Sequence, residues 1–106
     1  MRTKQGQELH DSFVGAVVTL LWQRGFNPIY ADLPTKAKPP VLNGYVPDVY
    51  AIKNQMSSLG FPMNTVHIVE VETEDTVNTA ETNRQLSAFR QWATTNNATF
   101  DVVVAK

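Results

Sequence analysis

The chain has 106 residues, a length that holds one hydrophobic core and leaves no room for a second domain. Hydrophobic residues make up 42% and charged residues 18% of it, proportions that are typical of a globular domain and exclude intrinsic disorder. The net charge of -1 excludes the strong overall attraction for nucleic acid that a highly basic domain has. Because there is no cysteine, disulfides, zinc-thiolate sites and cysteine nucleophiles are excluded as well.

The first predicted element is an amphipathic helix over residues 5–24, which Gly25 would end. Its apolar side chains recur at helical spacing, at Leu9, Phe13, Ala16, Val17, Leu20 and Leu21. The apolar stretch at residues 13–22 is much shorter than the roughly 20 residues that cross a bilayer. No small-residue cleavage site follows the basic residues Arg2 and Lys4, which argues against a signal peptide. We therefore expect an intracellular, cytoplasmic protein that makes no membrane contact.

Three strands are predicted next, at residues 26–33, 45–53 and 66–73. The first two are separated by a proline-rich loop that ends in the turn dipeptide Asn43-Gly44. Residues 54–64, which contain Gly60 and Pro62, are predicted to form the turn between the second and third strands. Strands linked by turns in this way should be antiparallel.

A second helix is predicted to run to about Thr95, capped by Asp75 or Thr76, or by a capping box of Asn78 and Glu81. The valine-rich residues 100–105 then predict a buried strand. Since a helix joins the third strand to the fourth, those two strands should be parallel. The predicted fold is therefore α/β, a mixed four-stranded sheet with helices on its faces. The chain stops directly after this last strand, so any further terminal element would come from a longer protein or a partner.

The third strand carries two glutamates on one face. Alternate strand residues share a face, so Glu70 and Glu72 point the same way as Ile68, while Val69 and Val71 make the other face apolar too. A strand that is apolar on both faces is usually central, and a buried carboxylate must be paired, protonated or bound to a cation. With Asp48 from the neighbouring strand, these acids would suit a hard divalent ion such as Mg²⁺.

Pro47-Asp48 and Glu70-Val71-Glu72, on consecutive strands, resemble the motif of the PD-(D/E)XK nucleases, the restriction-endonuclease-like superfamily. The αβββαβ order predicted above is the core of that family, so the resemblance covers residues 1–106 as a single nuclease domain. It implies a metal-dependent endonuclease that hydrolyses phosphodiester bonds of nucleic acid, with DNA as the expected substrate. It also implies that Asp48, Glu70 and the Val71 carbonyl hold Mg²⁺, for which Mn²⁺ would substitute.

Glu72 occupies the position where that family usually has lysine, which is the main departure from the pattern. The resemblance implies that Glu72 would bind a second metal ion or accept a proton from water. A catalytically inactive nuclease-fold module for binding or assembly is the alternative. A third possibility is an unrelated small α/β domain in which Glu70 and Glu72 lie on a solvated strand edge and Asp48 caps a turn.

Two helical positions extend the resemblance. Glu8 lies where family members place an acid that reaches the site through metal-bound water, although an ordinary helix acid is the simpler explanation. Gln85, followed by Phe89, is similar to the glutamine-x-x-x-tyrosine motif of the RecB-like branch, and Phe89 itself fits a core position better. His10 and His67 lack metal-ligand spacing and are not predicted to belong to the site.

Phosphate groups would need cations to hold them. The candidates, for each of which an ordinary surface role is the simpler explanation, are Lys36, Lys38, Arg84 and Arg90. A domain this small would need a second copy to reach both strands of a duplex, so a homodimer bound to nucleic acid is expected.

Overall fold

The computed structural model describes residues 2–106 as two helices and one four-stranded sheet. The elements in chain order are α1 (Lys4–Gln23), β1 (Ile29–Ala31), β2 (Val49–Met56), β3 (Pro62–Thr73), α2 (Ala80–Asn96) and β4 (Thr99–Ala105). The sheet order is β1-β2-β3-β4, in which the first two pairings are antiparallel and β3 pairs with β4 in parallel. The predicted α/β class, element order and strand directions are confirmed. Within residues 2–106, neither helix is long and apolar enough to cross a membrane.

Strand β3 separates two hydrophobic cores. On one face, Val69 and Val71 belong to the core that contains Val14 of α1. On the other face, Ile68 belongs to the core that contains Phe89 of α2. The two helices therefore cover opposite faces of the sheet, as predicted, and the C-terminal half of β3 is enclosed between them.

Helix α1 begins at Thr3, whose hydroxyl accepts a hydrogen bond from the Gly6 amide at 2.9 Å. Its buried residues are His10, Val14, Val18 and Leu21. This stripe differs from the predicted one, because Ala16 and Leu20 are exposed. The helix thus presents a histidine to the protein interior.

The hairpin formed by β2 and β3 is longer than predicted. Strand pairing continues from Asn54 opposite Asn64 to Met56 opposite Pro62. The turn predicted at residues 54–64 is therefore present but covers only residues 57–61. Beyond the part covered by β1 and β4, residues 53–66 project as a two-stranded arm. Both faces of this arm are largely exposed.

The loop before β2 contains the predicted Asn43-Gly44 turn. Leu42 and Tyr45 pair through two main-chain hydrogen bonds, and the two turn residues have φ values of 50° and 91°, which is the backbone conformation that an Asn-Gly hairpin turn favours. Strand β2 starts at Val49 and not at residue 45. Likewise, β1 covers only Ile29–Ala31 of the predicted residues 26–33.

Helix α2 begins later than predicted. Its N-cap is Thr79, whose hydroxyl accepts a hydrogen bond from the Thr82 amide at 3.1 Å, so neither Asp75, Thr76 nor Asn78 caps the helix. The helix ends at Asn97, which adopts the left-handed conformation with φ of 54°. The segment between β3 and α2 is consequently free to contribute polar side chains to the end of the sheet.

Candidate functional site

The start of β2 and the end of β3 place Asp48 beside Glu70. Val49 pairs with Val69; Asp48 immediately precedes Val49, and Glu70 immediately follows Val69. The Asp48 amide donates to Glu70 Oε1 at 2.9 Å, and the Val71 amide donates to Asp48 Oδ2 at 2.8 Å. These two bonds between side chain and main chain hold the strands together past their last regular pair. The two acids predicted from the sequence are therefore neighbours.

A cavity of about 300 Å³ lies over these carboxyl groups. Its lining includes Asp48, Glu70 and Glu72 from the sheet, together with Gln85 from α2. All four side chains that the sequence predicts as catalytic thus line one space. Phe89, by contrast, is fully buried in the core under α2, which confirms the core role expected for it.

The carboxyl groups are withdrawn from solvent. Only 4% of Glu70 and 2% of Glu72 is exposed, and Asp48 is also buried. The solvated-edge interpretation is therefore wrong for these two glutamates. Asp48 accepts its hydrogen bond from Val71 on the neighbouring strand, so the turn-cap interpretation is wrong too.

Asp48 is contacted by a histidine from α1. His10 Nε2 lies 2.9 Å from Asp48 Oδ1, which is an ion-pair distance, although the ring N–H does not point along a hydrogen bond. On the other side of the ring, Nδ1 lies 3.0 Å from Asp11 Oδ1. Burial opposes protonation of the imidazole, but Asp48 and then Asp11 outweigh it and raise the pKa of His10 above 6.5.

Glu70 is neutralised by a proton. Burial of its carboxyl, and then the nearby charge of Asp48, raise its pKa to about 10 from an ordinary value of 4.5. Glu70 is therefore a carboxylic acid at neutral pH. It remains an acceptor for the Asp48 amide, and a protonated carboxyl can also donate to the Asp48 carboxylate.

Glu72 is neutralised by an arginine from the N-terminal segment. Arg2 Nη2 lies 3.5 Å from Glu72 Oε2 and donates to the Val71 carbonyl at 3.0 Å. The Thr76 hydroxyl also donates to Glu72 Oε2, at 2.7 Å. Each of the three buried carboxyl groups at the cavity thus has a different partner, which is His10 for Asp48, a proton for Glu70 and Arg2 for Glu72.

His10, expected to be a surface or core histidine outside the site, is buried in α1 and contacts Asp48. The signal was its spacing, since His10 precedes Val14 and Val18 by four and eight residues and belongs to the same buried stripe. Arg2 was not predicted either, because it precedes the helix and no periodic pattern includes it.

Glu8 does not lie where the resemblance implies. It is exposed on α1 and is not among the residues that line the cavity. Successive residues of a helix are about 100° apart, so Glu8 points roughly 200° away from His10, the residue of α1 that reaches Asp48. His10, and not the acidic residue Glu8, is therefore the side chain of α1 that reaches the site.

The predicted phosphate-binding cations separate into two pairs. Lys38 Nζ contacts Asp32 at 3.1 Å and Arg84 Nη2 contacts Glu81 at 2.7 Å, and both of these acids line the cavity. Lys38 and Arg84 therefore lie at its rim. The others lie beside separate depressions, at Lys36 and Arg90.

The oxygen donors suit a hard divalent ion, but they are engaged with other partners. Asp48, Glu70, Glu72 and the Val71 carbonyl offer the oxygen ligands that Mg²⁺ and Mn²⁺ prefer. Yet no group of three His, Asp or Glu side chains in residues 2–106 is arranged as a ready ligand set. Asp48 is engaged by His10 and the Val71 amide, and Arg2 covers Glu72 and the Val71 carbonyl. The donor chemistry fits the ion, provided that these contacts rearrange.

No family model, curated protein or solved structure matches the chain, so the chemistry of this cavity alone carries the assignment of function.

Proposed function

We propose that the chain is a metal-dependent nuclease domain that hydrolyses phosphodiester bonds of nucleic acid, with DNA as the expected substrate. The observation that carries the proposal is the burial of three carboxyl groups around one cavity, one of them with its pKa raised to about 10. Burying such groups opposes folding by several kcal/mol each before compensation. Shifted pKa values of this kind cluster at functional sites.

Asp48, Glu70 and the Val71 carbonyl are the proposed ligands for Mg²⁺ or Mn²⁺. When bound, such an ion supplies charge stabilisation to a phosphodiester that is attacked by water. The chain contributes the surrounding groups. Gln85 lines the cavity from α2, where its amide can both donate to and accept from the nucleic acid.

At the rim, Lys38 and Arg84 are the proposed phosphate contacts, because each is paired with an acid that lines the cavity. Each would exchange its acidic partner, Asp32 or Glu81, for a phosphate oxygen. Both are highly exposed, so this exchange requires no change in the core. A second copy of the chain is the proposed means of reaching the other strand of a duplex.

An inactive binding or assembly module on the same framework is the second candidate. Contacts within the chain favour this candidate, since His10 lies against Asp48 and Arg2 lies against Glu72 without any metal ion. Glu72 at the position of the usual lysine also favours it. The two functions differ in whether the protein retains a divalent ion and cuts nucleic acid.

The test is calorimetric titration of Mn²⁺ into the wild-type chain and Glu70→Gln, with cleavage of plasmid and single-stranded DNA followed on the same samples. Glutamine keeps the acceptor for the Asp48 amide but cannot become a charged ligand. We expect the wild type to bind and cleave and Glu70→Gln to do neither. Glu74→Gln is the matched control, because Glu74 is exposed and outside the cavity lining.

Absence of Mn²⁺ binding by the wild type would favour the inactive module, and cleavage that Glu70→Gln retains would overturn the assigned metal site. For Asp48, asparagine is a better replacement than alanine. Alanine would leave the buried Val71 amide without its acceptor and His10 Nε2 without its ion-pair partner. The loss costs about 1–3 kcal/mol for the amide alone, and lost activity would then be hard to separate from lost structure.

A further inference from the structure

Arg2 is the one cationic side chain, among residues 2–106, that lines the cavity. Its side chain is 22% exposed, so most of it lies inside. The guanidinium donates to the Val71 carbonyl and faces the Glu72 carboxylate. Its Nε is buried without a hydrogen-bond partner, so the group is not satisfied as completely as a permanent structural arginine would be.

The N-terminal segment holds Arg2 in this place through Asp75. The Thr3 amide donates to Asp75 Oδ2 at 3.2 Å, and the Thr73 hydroxyl donates to the same carboxylate. Thr3 is also the N-cap of α1. The segment is therefore fastened to the turn that follows β3, directly beside the cavity, and Asp75 is the side chain that fastens it.

Both oxygen groups that Arg2 contacts would serve a divalent ion. The Val71 carbonyl is one of the proposed ligands, and Glu72 is the carboxylate that follows it directly on the strand. A guanidinium and a metal ion cannot share the same lone pairs, and at a separation of about 4 Å in a partly buried site they repel each other strongly.

We propose that Arg2 is a resident counter-cation that competes with the divalent ion, so that metal binding requires the guanidinium to leave the Val71 carbonyl and Glu72. This inference rests on the proposed function, because it concerns the affinity of that same site. It predicts that the N-terminal segment sets the apparent metal affinity, since a site blocked for part of the time binds with a correspondingly weaker apparent Kd.

The size of the effect follows from the contacts that must break. A hydrogen bond made by a charged group contributes about 1.5–3 kcal/mol, which corresponds to roughly 10-fold to 100-fold in an equilibrium constant. Replacing Arg2 with glutamine should therefore tighten Mn²⁺ binding by about that factor. It should also lower the melting temperature of the metal-free chain, because Glu72 loses its cation, and Mn²⁺ should restore that loss.

The experiment compares the wild-type chain with Arg2→Gln and Arg90→Gln, using Mn²⁺ calorimetry and thermal unfolding with and without Mn²⁺. Arg90→Gln removes the same charge from an exposed position on α2 and should leave both measurements unchanged. Asp75→Ala, which retains Arg2 but removes the acceptor of the Thr3 amide, is the second variant. Loss of a nearby negative charge alone would weaken Mn²⁺ binding, whereas release of the N-terminal segment should tighten it, so the sign of the change is decisive.

Tighter binding by Arg2→Gln and Asp75→Ala supports the inference, as does Mn²⁺ binding by Arg2→Gln when the wild type shows none. Equal or weaker binding by both variants, with the wild type still binding Mn²⁺, overturns it and leaves the proposed metal site standing. Absence of binding in every variant overturns both. If Arg2→Gln fails to fold, Asp75→Ala alone decides, because it leaves the cavity side chains unchanged.

Discussion

Replacing Glu70 with glutamine should stabilise the metal-free protein at neutral and alkaline pH. The pKa of Glu70 is raised to about 10 by burial and by Asp48, from an ordinary value of 4.5. Below pH 4.5 the carboxyl is protonated in both the folded and the unfolded chain. Above it, the unfolded chain loses this proton while the folded chain keeps it, so the contribution of Glu70 to stability falls as the pH rises towards 10.

The magnitude follows from that difference in pKa. Each pH unit between the two pKa values changes the free energy of unfolding by about 1.36 kcal/mol. At pH 7 the proton on Glu70 therefore costs the fold up to about 3 kcal/mol relative to pH 4.5. Glutamine has no such proton, yet its carbonyl can still accept from the Asp48 amide.

The assay is urea unfolding of wild type, Glu70→Gln and Glu74→Gln at pH 5, 6, 7 and 8 in the presence of a chelator. With each step up in pH, the free energy of unfolding of Glu70→Gln should rise relative to that of the wild type. Glu74→Gln, which changes an exposed residue, should show the same pH dependence as the wild type. A constant difference, or a Glu70→Gln variant that is less stable at pH 8, would refute the reasoning, because it would mean that Glu70 is ionised in the folded protein.

Two further predictions concern the framework. Phe89→Ala should lower the free energy of unfolding by about 3–5 kcal/mol, because Phe89 is fully buried under α2. Leu59→Ala at the 81% exposed hairpin tip should change it little, and equal losses would contradict the assigned core. Thr79→Ala should cost about 1 kcal/mol through loss of the α2 N-cap, whereas Thr94→Ala within the same helix should not; urea unfolding measures both.

The sheet and both helices were predictable because the apolar residues of their buried faces recur at regular spacing in the sequence. Strand β3 has apolar residues on both faces, including Ile68, Val69 and Val71, and this pattern is typical of a central strand. The hairpin arm at residues 53–66 has no such spacing of apolar residues, because Asn54, Asn64 and their neighbours are exposed on both faces of the arm. Main-chain pairing alone continues the strands there, and side-chain patterns do not report it.

The acids of the site were predictable for the same reason that the strands were. Asp48 and Glu70 fall at strand ends that an antiparallel pairing brings together. The residues that contact the acids of the site, Arg2 and His10, are brought there by tertiary contacts, which no local sequence pattern predicts. Arg2 reaches Val71 across 69 positions of sequence, through a segment fastened by Asp75, and only the burial of His10 on α1 places it against Asp48.

Because of the projecting arm, local stability should differ between the two ends of β2 and of β3, although each strand is continuous. Its backbone amides are held by a two-stranded ladder with little buried side-chain area, so they should exchange with solvent deuterium through local fraying. The amides of Val69 and Val71 lie between the two helices and should exchange only when the whole domain unfolds. A ligand that enters the cavity would therefore slow exchange in the C-terminal half of β3 and leave the N-terminal half of the same strand unchanged, which makes β3 an internal reference for its own binding site.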